Sequence, residues 1–150
     1  MNQTEMNQAE INLTQIDALN DVTQTLIDSY EGYKTCLEDM EEDYALRSQF
    51  SSRAASRSQL ISEFQTSVRE LGGEAVTKGS VSGAAHRGWT KLTAFFQDDE
   101  KAASQAVSDG ERFLAERINE LMRDPNLTPE TLALLRKAYA SATKGDIQAD

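Results

Sequence analysis

Few side chains in this sequence can do chemistry: three glutamates, Glu31, Glu63 and Glu111, a single histidine, His86, and a single cysteine, Cys36. Each glutamate lies near the middle of a separate amphipathic stretch, so a helical bundle would carry all three to a similar height. Hard oxygen ligands of that kind suit manganese, calcium or ferrous iron. Arg53 and Arg57 compete for the same carboxylates, because both fall on the apolar seam of the second stretch. They either reach outward along their stems or meet acids inside. A buried Arg-Glu cluster contributes little net stability, yet losing one partner orphans the other at a cost of about 3–5 kcal/mol. Two readings therefore stand side by side, a divalent cation held by Glu31, Glu63 and Glu111, or structural charge pairing through Arg53 and Arg57.

The remaining candidates are weaker. One histidine restricts transition-metal and general-base chemistry, and no carboxylate stands near His86 in sequence; a capping or pinning role in its own segment suits it better. Cys36 has no local base, sits next to the seam residue Leu37 and packs as a small apolar group. Gly79 to Gly83 could present free amides to an anion, but no phosphate-loop lysine pattern accompanies them. Tyr30, Tyr33 and Tyr44 are read as seam and rim packing.

The elements that must position these groups follow from spacing. From Ile16 the apolar residues step by alternating three and four through Leu19, Leu26, Tyr30, Tyr33, Leu37 and Met40, with Thr23 as the only break. That seam predicts a long helix over about 14–40, starting at a Leu13 staple and a Thr14 N-cap with Asp17 three residues on. Leu46, Phe50, Ala54, Leu60, Phe64, Val68 and Leu71 predict a second helix over 44–71, closed by Gly72-Gly73. A third runs from the acids 98–100 to near Arg123, with Gly110 in its middle read as permitting a close approach. Leu127, Thr128 and Pro129 give a staple, a cap and a first helical residue for a fourth helix ending by Gly145. Between the second and third lies a connection of roughly 25 residues carrying a short amphipathic helix over about 81–96, anchored by Trp89 and Phe95/Phe96. The fold class is all-α, a four-helix bundle with one long crossover, the connectivity of ferritin-like proteins.

The 150 residues fit one domain, read as a loose polar tail over 1–12 followed by a bundle over 13–146. With 25 acids against 15 bases the net charge is −10, which disfavours a nucleic-acid partner. Residues 1–43 alone carry −10 and residues 44–97 carry +4, which favours the first two helices lying side by side. No apolar run reaches the ~18 residues of a membrane span, and the polar start is unlike a signal peptide. A cytoplasmic location is expected, and the lone cysteine rules out an internal disulfide.

Glu31-Gly32-Tyr33, Arg57 through Glu63 to Leu71-Gly72-Gly73-Glu74, Gly110-Glu111, and above all Gly79-Ser80-Val81 with His86-Arg87-Gly88-Trp89 resemble a bacterial family of ferritin-like four-helix-bundle proteins catalogued as a domain of unknown function. The likeness spans about residues 16–145, and the crossover stretch with Ser80, His86, Arg87 and Trp89 is its most specific part. It implies the fold and a kinship with ferritin-like proteins, with no established activity. Di-iron members of the wider group take a Glu-x-x-His from each of two helices. Here Thr66 follows Glu63 by three, Leu114 follows Glu111 by three, and past Glu130 in its first turn the fourth helix offers neither acid nor histidine before Asp146. With neither a complete di-iron motif nor a nucleophile motif, the expectation is a non-catalytic structural or interaction module; the alternative is a carboxylate site for Fe, Mn or Ca. Because the fourth helix is short, part of the seam is left uncovered, which predicts an apolar groove and a homodimer or other protein partner.

Overall fold

The computed structural model describes residues 3–40, 45–80 and 100–144. Among them are four helices and no strand: α1 (Gln3–Asp39), α2 (Arg47–Glu70), α3 (Glu100–Leu121) and α4 (Pro129–Ala142). α1 begins a full three turns before the expected cap. Residues 3–13 contain no proline or glycine and several good helix formers, so nothing stops the helix from continuing back past Thr14. The Thr14 hydroxyl donates to the Glu10 carbonyl (3.2 Å) within the helix instead of capping it, and the tail expected over 1–12 is helical from Gln3 onward.

Both closely read ends of the later helices hold. After α2, Gly72 has φ +86°, its N–H donates to the Arg69 carbonyl (3.0 Å) and the Gly73 N–H to the Val68 carbonyl (2.9 Å). That is a Schellman closure, which a side chain at the left-handed position would strain. At the start of α4 the Thr128 hydroxyl accepts from the Thr131 N–H (3.3 Å), with Pro129 at the first helical position. α1 has no basic residue in its last turn; Arg47 of α2 supplies the charge, donating to the Leu37 (2.9 Å) and Met40 (3.1 Å) carbonyls.

Side-chain pairs fix the directions. The Arg47 contacts at one end, and Asn20 bound to Glu74 and Val76 at the other, set α1 antiparallel to α2. Arg117–Asp21 (2.7 Å) and Tyr33–Glu111 (2.7 Å) set α3 antiparallel to α1. Lys137–Glu63 (2.6 Å) and Arg57–Ser141 (3.3 Å) set α4 antiparallel to α2. α2 and α3 therefore run the same way on a diagonal, joined by a connection that begins at residue 71. Its described part, 71–80, climbs α1 in extended form: the Asn20 amide holds the Glu74 carbonyl (3.0 Å) and the Val76 N–H (3.1 Å), and Asp28 Oδ1 accepts from the Ser80 N–H (2.8 Å). At Gly79 a Cβ would overlap the Asp28 carboxylate, so only glycine lets the strap lie this close. The short helix expected over 81–96, with His86, Arg87 and Trp89, lies outside the described residues.

Apolar packing divides into two clusters. One joins all four helices through Leu19, Val22, Leu26, Phe64, Val68, Ile118 and Leu135; the other joins α1, α2 and α3 through Cys36, Met40, Phe50, Ala103 and Val107. Cys36 is wholly buried there, as its position beside the seam led us to expect. Gly110 departs from expectation: among the described residues a Cβ there would meet nothing within 4 Å, so no close approach to them requires it.

Candidate functional site

Between the two apolar clusters lies a polar layer to which every helix contributes. Arg57 of α2 is 0% exposed. Its Nη1 donates to Glu111 Oε1 (2.9 Å) and Ser29 Oγ (2.6 Å), its Nη2 pairs with Glu111 Oε2, and its Nε donates to Ser141 Oγ (3.3 Å). Arg53 Nη1 stands 3.1 Å from Glu111 Oε2. Tyr33 Oη donates to Glu111 Oε1 (2.7 Å). The Tyr33 ring also packs edge-on against Phe50 at 5.2 Å and lies 6.0 Å from the Arg57 guanidinium carbon.

Glu111 thus accepts from Tyr33 and Arg57 on one oxygen and from Arg57, with Arg53 at ion-pair distance, on the other. These four interactions match the roughly four lone-pair sites of a carboxylate. The fork-on-fork geometry of Arg57 is the arrangement that compensates a buried ion pair best. Burial, and then the Glu111 charge, push the Tyr33 hydroxyl well above its ordinary value near 10; Arg57 and Arg53 act in the opposite sense. Tyr33 is a neutral donor held in place.

The three glutamates do not meet. Glu111 points inward, Glu31 is exposed to solvent, and Glu63 pairs with Lys137 on the partly exposed α2–α4 edge. Position along a helix sets height but not azimuth; Glu31 lies one residue past Tyr30 and turns outward while Ser29 and Tyr33 turn in. Among the described residues no group of three or more His, Cys, Asp or Glu stands close enough to hold a metal ion. The pairing read for Arg53 and Arg57 is present, with one glutamate instead of three. Ser80 reaches α1 only through its backbone N–H.

Several participants carry no such reading in the sequence, Ser29 and Ser141 beside Arg57 among them. Tyr33 reads as packing, although its place on the seam at the level of Arg57 is a signal. Gln15, 0% exposed, lies one residue before the seam: its Nε2 donates to the Ile11 and Asn126 carbonyls (both 2.9 Å) and its Oε1 accepts from the Thr128 N–H (2.9 Å). This single amide ties α1 to the α3–α4 turn.

Where α4 ends, an open cleft of about 390 Å³ borders the polar layer, with Arg53, Glu111, Arg112, Glu116, Tyr139 and Ala142 in its walls. The uncovered seam is expected to be apolar; the walls of this cleft are polar and apolar in about equal measure. Among the described residues no helix is long and apolar enough to cross a membrane.

A family model described as Domain of unknown function (DUF2383) matches residues 14–124. No curated protein and no solved structure matches the chain.

Proposed function

The chain belongs to the family described as Domain of unknown function (DUF2383), and on that footing we propose that it is a non-catalytic interaction module of ferritin-like layout, its interior carboxylate neutralised by guanidinium instead of a metal ion. The observation that carries this reading is the bidentate, fully buried pair of Arg57 with Glu111. The parallel course of α2 and α3, joined by residues 71–99, supports the ferritin-like connectivity. Residues 13–146 form the functional unit in this reading, and its place is the cytosol.

The alternative, an Fe, Mn or Ca site on Glu31, Glu63 and Glu111, gains no support from the geometry. Arg57 takes both oxygens of Glu111, and the other two acids face elsewhere. A bundle that does no chemistry acts through its surface, and a homodimer or other protein partner is part of the proposal. Phe113, 70% exposed on α3, and Leu13, 58% exposed on α1, support it.

Elemental analysis of the full chain purified without chelator, together with light scattering at micromolar concentration, tests both halves. The expected result is no stoichiometric Fe, Mn or Ca and a mass above that of the monomer, reduced by Phe113→Ser. One metal per chain, lost in Glu111→Gln, would overturn the guanidinium reading. A strict monomer with no partner would overturn the interaction role.

A further inference from the structure

The cleft at the end of α4 has the size of a small-molecule site. We infer that it binds a small organic monocarboxylate with an apolar or single-ring body, an activity that does not depend on the proposed interaction role. α4 stops at Ala142 while α2 and α3 continue, so a space of about 390 Å³ opens between Arg53 of α2, the outer turns of α3 and the last turn of α4. That is near the low end of the roughly 300–1,000 Å³ range of ligand sites.

Its walls fix the chemistry. Glu111 contributes no free acceptor, because Arg57, Arg53 and Tyr33 already occupy its oxygens. Arg53, with a side chain 15% exposed, is already paired with Glu111, so the positive group that the wall offers a ligand is the guanidinium of Arg112, 61% exposed. Arg112 is held only by Asp109 at 3.4 Å on the open surface, an exposed pair worth ~0–1 kcal/mol that an incoming carboxylate can replace. Glu116 stands in the same wall and would repel a second negative charge, which favours a monoanion over a phosphate dianion. Tyr139, 36% exposed, with Ala115 and Ala142, offers a flat apolar surface for the body of the ligand.

The test is a ¹H–¹⁵N NMR titration of the full chain with benzoate, run in parallel with benzylamine and inorganic phosphate. Saturable shifts with benzoate are expected at the amides of Ser108, Arg112, Asn119, Tyr139 and Thr143, at a Kd of about 1 mM, the scale of a ligand with few atoms. Benzylamine and phosphate are expected to bind at least about tenfold more weakly. Arg112→Glu should weaken benzoate about tenfold, the worth of one charge-assisted contact. Tyr139→Ala should weaken it severalfold, and neither variant should move the melting temperature by more than a few degrees. Non-saturable shifts with benzoate, equal binding of benzylamine, tighter binding of phosphate, or full affinity in both variants would each overturn the assignment.

Discussion

Arg57 and Glu111 face each other across the diagonal of the bundle, from two helices that run the same way and are joined by no short turn. Their pair spans the space between α2 and α3 that apolar side chains fill above and below it. Removing Glu111 leaves the buried Arg57 guanidinium with no carboxylate opposite, whereas removing Arg57 leaves Glu111 still held by Arg53 and Tyr33. Glu111→Ala should therefore cost about 3–5 kcal/mol, and Arg57→Met somewhat less. The double variant Arg57→Met/Glu111→Leu should be less destabilised than either single variant, because neither charge is then buried. Urea unfolding of the four proteins reads this directly; strictly additive losses would mean that the two residues act independently.

Tyr33 makes a second prediction, in pH. Its folded-state value lies above 10, so above pH 10 the folded protein keeps a proton that the unfolded chain releases. Its contribution is complete below pH 10 and is lost as the pH rises from there, at up to about 1.4 kcal/mol per pH unit for one proton. Tyr33→Phe should remove that part of the alkaline slope. At neutral pH it should cost about 1.5–3 kcal/mol for the lost hydrogen bond to a charged acceptor. Denaturant melts of both proteins between pH 8 and 11 provide the comparison, and parallel slopes would contradict the assignment.

Gly110 sits in the interior of α3 with nothing among the described residues near its missing Cβ. Gly110→Ala should stabilise the protein by up to about 1 kcal/mol, through helix propensity and a less flexible unfolded chain. Gly79→Ala should act in the opposite direction, since its Cβ would push the strap off Asp28 and break the Ser80 contact. Thermal melts of the two variants should show shifts of opposite sign.

The sequence made element ends legible wherever the local conformation strongly favours one residue type: Gly72 after α2, and Thr128 with Pro129 before α4. It misled at the start of α1, where a good cap was available but the chain before it was already helical. Spacing also told which residues share a seam, so Arg53 and Arg57 could be read as inward. It did not tell which neighbouring acid would turn to meet them, because an error of one residue rotates a helical side chain by about 100° and changes Glu31 from ligand to solvent-facing. Gly110 was taken for a contact point because an unfavourable residue suggests a use; in the fold it has none among the described residues. The crossover stretch was the most specific part of the family likeness, yet only its opening residues, through Ser80, fall within the described structure.

Gln15 provides the last test, because it was invisible to a reading that places polar residues outside. Its amide uses both ends: the Nε2 donates to two carbonyls and the Oε1 accepts from the cap residue of α4. Gln15→Ala should leave the Asn126 carbonyl and the Thr128 N–H short of partners in a half-buried setting, at about 1–3 kcal/mol. Gln15→Glu keeps the acceptor but puts a carboxylate against the Ile11 and Asn126 carbonyls, and should be the worse of the two at neutral pH. Lowering the pH to protonate that carboxylate restores one donor and should recover part of the loss, which a defect of packing alone would not do. Urea midpoints of both variants at pH 7 and pH 4, each referred to the unsubstituted protein, separate the two causes.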